Sequence, residues 1–113
     1  GYNCAQAVAC TYCDLAGMDE ETMKNVTNAF GLGMGCTDGT CGSLVGAGVI
    51  LGLASKDKAQ SMKDMKMIMS KFKERNGSTI CKELKGIETK KVLRACNDCV
   101  ADAAEFLEAQ IGE

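Results

Sequence analysis

The chain has no histidine, no proline and no tryptophan, and each absence removes chemistry. Without histidine there is no Ser-His-Asp or Cys-His nucleophile, no zinc site with an imidazole ligand, no Rieske centre and no His-ligated haem. The c-type haem signature is missing too, because Asp14 follows Cys13 and Val100 follows Cys99. A chain without proline suits continuous helices and argues against a loop-rich extracellular scaffold. Tyr2, Tyr12, Phe30, Phe72 and Phe106 are too few aromatics to make a stacking platform for bases. A net charge of −2 gives no pull toward nucleic acid or an acidic membrane. The apolar run from Leu44 to Ala54 falls far short of the roughly 20 residues a bilayer requires. The expectation is a cytoplasmic protein with no nucleic-acid or membrane partner, although a chain starting at Gly1 leaves a preceding leader open.

Cysteine and glycine are abundant instead, with 8 and 13 residues in a chain of 113. That length supports one domain with a single core, here residues 1–113. Apolar periodicity predicts helices throughout, so the expected fold is all-α: a compact bundle of about five helices with a glycine-rich loop between helices 2 and 3. A disulfide scaffold fits poorly, because such scaffolds are short, loop-rich and lack a core.

Residues 2 to 16 read as a first helix with Cys4, Val8, Thr11 and Leu15 inward, Cys10 and Cys13 pointing away, and Gly17 as C-cap. Asp19 offers the N-cap of a second helix with Met23, Val26 and Phe30 inward, ended by Gly31. A third helix starts at about Cys41. Residues 56 to 76 read as a fourth, with Ala59, Met62, Met65, Met69 and Phe72 on the core side. That helix carries seven of the 13 basic residues, from Lys56 to Arg75, which form either a solvated face or a docking patch for an acidic electron-transfer partner. Ser78 or Thr79 caps a short turn with Cys81 and Leu84. A last helix from about Glu88 to Gln110 carries Val92, Cys96, Cys99, Ala103 and Leu107 on one face.

The stretch from Gly31 to Leu53 organises the rest. Its glycines allow a tight turn whose backbone N–H groups approach a small charged object. It matches no nucleotide fingerprint: a helix precedes it and no Gly-Lys-Ser/Thr follows. Cys41 sits where a helix N-terminus favours thiolate over thiol. Cys4, Cys81 and Cys96 lie on the apolar sides of three further elements, either as packing material or as ligands. No bacterial-ferredoxin spacing occurs, and the C-x4-C of Cys36 and Cys41 lacks a plant-type third cysteine because position 44 is Leu44.

Four motifs in order, GYNCAQAV, CGSLVGAGVILGL, GSTICKELKG and CNDCVADAAEFLE, resemble the C_GCAxxG_C_C family of redox-active proteins over almost the whole chain, Tyr2 to about Ile111. The resemblance implies an all-helical fold, a redox role, an anaerobic setting, and four family cysteines at Cys4, Cys41, Cys81 and Cys96. The family name orders glycine, cysteine and alanine, whereas this chain reads Cys41-Gly42-Ser43 and closes with Gly46. Cys10, Cys13, Cys36 and Cys99 are additional, as a second redox pair, a homodimer contact or neither.

These readings lead to a redox or electron-transfer protein, rather than a conventional enzyme, binding an iron–sulfur cluster through Cys4, Cys41, Cys81 and Cys96. Gly33, Gly35, Gly39 and Gly42 would line the cofactor, and a redox partner protein would dock on the lysine-rich helix. Two alternatives stay open: thiol–disulfide exchange with Cys41 as the attacking thiolate and Cys36 or Cys81 resolving it, and a structural four-cysteine zinc site.

Overall fold

A computed structural model describes residues 2–111. Among the described residues it is all-helical, with five helices of seven or more residues, one shorter helix and no strand. The helices are α1 (Cys4–Thr11), α2 (Glu20–Val26), α3 (Gly42–Ser55), α4 (Lys58–Asn76), α5 (Cys81–Lys85) and α6 (Cys96–Ile111). No helix among the described residues is long and apolar enough to cross a membrane.

α3 is the hub, against which α1, α4 and α6 all pack. It is apolar nearly all round, as a central helix should be, and buries Leu44, Ala47, Ile50 and Leu51. Its glycines set how closely α1 approaches. A Cβ at Gly46 would lie 2.5 Å from the Ala5 carbonyl oxygen, and one at Gly42 would lie 2.4 Å from Cys4 Sγ. Around α3 the core is completed by Val8, Met23, Ile68, Phe72, Ala103 and Leu107.

Several helix starts fall where the sequence puts them. Asp19 caps α2 by accepting from the Thr22 amide, and Asp57 caps α4 by accepting from the Ala59 and Gln60 amides. α1 starts with a capping box between Asn3 and Gln6.

The main departures are at helix ends. α1 stops at Thr11, not at residue 16, and the chain turns tightly through Tyr12–Gly17, where the Met18 amide donates to the Cys13 carbonyl at 3.1 Å. Already within α1 Cys10 is buried and Thr11 exposed, and in the turn Cys13 is buried and Leu15 exposed, against the expected face, of which Val8 alone is fully buried. α2 ends at Val26, which is exposed, and Phe30 is only half-buried beyond it. α4 turns Ile68, Phe72 and Asn76 inward and leaves Ala59 and Met62 exposed. α6 begins eight residues later than the sequence suggests: the chain through Val92 is exposed and irregular, held by the Leu93 amide donating to Leu84 at 3.0 Å.

Candidate functional site

Two irregular segments carry cysteine into the heart of the fold. Between α2 and α3, Leu32, Gly33, Met34 and Gly35 take four successive positive φ values, 53°, 59°, 67° and 81°. Such a left-handed turn strains Leu32 and Met34 at roughly 1–2 kcal/mol each. The turn is held because the Gly35 amide donates to Gly31 (2.8 Å) and the Gly39 amide to Gly33 (3.0 Å). These two amides therefore shape the loop and point into it.

The far side of this loop pairs antiparallel with the segment before α5. Thr40 bridges Ile80, the Cys41 amide donates to Thr79 (2.8 Å) and the Cys81 amide to Gly39 (3.0 Å). This pairing sets Cys41 and Cys81 side by side at the N-termini of two helices. Gly33 must be glycine for a second reason: a Cβ there would lie 2.5 Å from Cys81 Cβ.

The outcome is a narrow cavity lined by Cys4, Cys41, Cys81, Cys96 and Cys99, with Leu84, Lys85 and Arg94 completing its wall. It has room for about one water molecule. Cys96 is exposed at its mouth, while Cys41, Cys81 and Cys99 are buried. Four of its sulfurs belong to the cysteines with the four-motif resemblance, and they come from α1, the start of α3, α5 and α6.

The thiols are not equivalent. Cys41 caps α3, with its sulfur 3.0 Å from the Ser43 hydroxyl. The neighbouring Cys99 thiol draws its pKa down from 9.0 to about 6, with help from Ser43 and against the opposing effect of burial. The neighbouring Cys41, together with burial, holds Cys99 well above the usual thiol range. Cys99 Sγ donates to the Arg94 carbonyl at 3.8 Å. Burial pushes the Cys96 thiol up, and the nearby Cys4 sulfur adds to the effect. Burial also raises Cys81, with Lys85 pulling the other way.

Of the five cavity sulfurs, Cys41 hydrogen-bonds to the Ser43 hydroxyl and Cys99 to the Arg94 carbonyl. In this arrangement no three His, Cys, Asp or Glu side chains among the described residues form a group that could hold a metal ion.

Of the remaining expected site residues, Gly33 and Gly42 lie against the cavity, touching Cys81 and Cys4. Gly39 packs on Met34, and Gly35 faces open space. Cys36 is outside the cavity, exposed on the loop with its sulfur 3.7 Å from the Gly33 carbonyl. Cys10 and Cys13 are buried at the end of α1. Sequence reasoning singled out neither Lys85 nor Arg94. The sequence already puts Cys99 on the same helix face as Cys96, at i, i+3, but gives it no place in the four-cysteine set.

The description of the family model that matches the chain reads "Putative redox-active protein (C_GCAxxG_C_C)", and the match spans residues 2–110. No curated protein and no solved structure matches.

Proposed function

The chain belongs to the C_GCAxxG_C_C redox-active protein family, and from that premise we propose that it transfers electrons through an iron–sulfur cluster held by Cys4, Cys41, Cys81 and Cys96. One observation carries the proposal: four sulfurs distant in sequence line a single cavity. Thiolates are the soft donors such a cluster takes, so the donor set fits, although the side chains as placed among the described residues form no three-ligand group. A bound cluster supplies one-electron exchange.

The chain's own residues would do the rest. Gly42 lets Cys4 approach α3, and Gly33 lets Cys81 approach the loop. Leu84 and the buried face of α6 keep water away. Lys85 faces Cys81 and Cys96 and offsets the negative charge of their thiolates.

The partner is an acidic redox protein docking beside α4. Lys58, Lys63, Lys66, Lys71 and Lys73 are exposed, and none makes an ion pair among the described residues. Next to them runs an apolar groove formed by Thr40, Leu44, Val45, Gly48, Met65 and Met69. Thr40 adjoins Cys41, so a partner seated in the groove is one residue from the thiol cavity.

An absorption spectrum with iron and acid-labile sulfide analysis of protein purified without oxygen tests the proposal. Brown, iron-containing protein supports it. Zinc in place of iron would favour a structural four-thiolate site, and a metal-free sample would leave thiol–disulfide exchange at Cys41.

A further inference from the structure

We propose that Cys10 and Cys13, at the end of α1, form a reversible disulfide with a small-molecule disulfide as oxidant, a two-electron couple separate from the thiol cavity. The pair lies outside the proposed ligand set, so it stands or falls independently of the cluster.

The backbone brings the two side chains together. Past Ala9 the chain tightens to hydrogen bonds that reach three residues back. The Tyr12 amide donates to the Ala9 carbonyl at 3.3 Å, the Cys13 amide to Cys10 at 3.4 Å and the Ala16 amide to Cys13 at 3.1 Å. In a turn of this kind side chains at i and i+3 eclipse, so Cys13 stands over Cys10. Such a turn keeps its ends within about 7 Å, and a disulfide spans Cα separations of about 4.4–6.8 Å. Burial agrees with a shared side: Cys10 and Cys13 are 8 % and 7 % exposed and join one apolar cluster, while Thr11 and Asp14 face solvent.

No other sulfur competes. Cys4 lies six residues back on the same helix, about 9 Å along the axis and beyond disulfide reach. Cys41, Cys81, Cys96 and Cys99 line the cavity with Cys4 at the opposite end of α1, and Cys36 is exposed on the loop. In the reduced form the Cys10 thiol donates to the Glu20 carbonyl, 4.0 Å away at the start of α2. The burial also selects the oxidant, because a small disulfide can approach the turn from its solvent side and a folded protein's disulfide cannot.

In the first step one thiolate of the pair attacks the small disulfide. A new S–S bond forms, the old one breaks, and a small thiolate leaves. In the second the other thiolate attacks its neighbour's sulfur, now in the mixed disulfide; the Cys10–Cys13 bond forms and the second small thiolate departs. The two cysteine protons end on the two released thiols. The pair loses two electrons and the small disulfide gains them.

The test equilibrates the protein in graded mixtures of mercaptoethanol and its disulfide, starting from both the reduced and the oxidised side. Samples are quenched in acid, denatured, alkylated and cut into peptides for mass spectrometry. The expected product is a peptide containing Cys4, Cys10 and Cys13 that carries an internal Cys10–Cys13 bond, with both thiols recovered as the mixture becomes reducing and helicity by circular dichroism unchanged throughout. In Cys10→Ser and Cys13→Ser the remaining thiol of the pair should stay free at ratios that oxidise the wild type. Cys10 and Cys13 both alkylated across the whole series, either one joined to another cysteine, or a mixed disulfide with mercaptoethanol as the stable product would overturn the proposal.

Discussion

Arg94 grips Asp102 by two hydrogen bonds, Nε to Oδ2 at 3.0 Å and Nη2 to Oδ1 at 3.1 Å, and the same residue lines the thiol cavity. Arg75 at 3.0 Å and the Asn76 amide at 3.1 Å also donate to this carboxylate. A carboxylate 3 % exposed is thus fully satisfied, and it ties α4, the approach to α6 and α6 itself together.

Burial works to raise the Asp102 pKa, but Arg94, Asn76 and Arg75 outweigh it and hold the carboxyl below its ordinary 3.8. Its stabilising contribution is therefore complete above pH about 4 and lost as pH falls through the lowered value. Asp102→Asn should cost about 2–3 kcal/mol at neutral pH, below the full penalty for a buried pair because both arginines are partly solvated. It should also flatten the acid limb of a urea-midpoint-versus-pH plot.

Close approach at Gly42 predicts a contrast within one helix. An added Cβ would meet Cys4 Sγ at 2.4 Å and the Phe30 carbonyl oxygen at 2.7 Å, whereas at Gly52 nothing lies within 4 Å. Gly42→Ala should destabilise by about 1–3 kcal/mol and change Cys4 alkylation rates. Gly52→Ala should stabilise by about 0.5–1 kcal/mol through helix propensity. Chemical denaturation of the two variants reads the difference.

Thiolate absorbance should titrate with a midpoint near pH 6 in the metal-free protein, and Cys41→Ser should remove that step. Because the folded value lies below the ordinary 9.0, Cys41 stabilises fully above pH 9 and loses that contribution as pH falls through 6. Cys99, shifted upward, acts in the opposite sense above pH 9. Cys99→Ala should move the Cys41 midpoint back toward 9.0, because its largest thiolate-stabilising donor is gone.

Much of this was legible in the sequence. The helical class follows from apolar periodicity, the cap at Asp19 from residue type and position, and the start of α3 at Cys41 from the apolar run that follows it. Cys4, Cys41, Cys81 and Cys96 line one cavity, but only Cys41 and Cys81 are buried as the inward placement expects; Cys4 is half-buried and Cys96 exposed. The rest depended on tertiary contacts. Nothing local ends α1 at Thr11, so the inversion that buries Cys10 and Cys13 had no signal. The exposed path through Val92 is set by the Leu93 and Arg94 amides, which both reach the Leu84 carbonyl. Arg94 acquires its place only because Asp102, a turn into α6, is buried within reach.

If α4 is the docking face, charge should govern encounter. Replacing Lys66 and Lys73 by glutamate should slow electron exchange with the anionic carrier hexacyanoferrate by about tenfold at low ionic strength, with the difference vanishing at high salt. A cationic ruthenium ammine carrier should respond in the opposite direction. Stopped-flow rates unchanged for both carriers would move the partner site elsewhere.

The most direct measurement is iron and sulfide bound per chain after anaerobic reconstitution of the wild type and of single serine variants at each cysteine. The account predicts a loaded wild type, loading abolished or severely reduced by Cys4→Ser, Cys41→Ser, Cys81→Ser and Cys96→Ser, and loading preserved in Cys10→Ser, Cys13→Ser and Cys36→Ser. An iron-free wild type, or loading indifferent to those four substitutions, would contradict it.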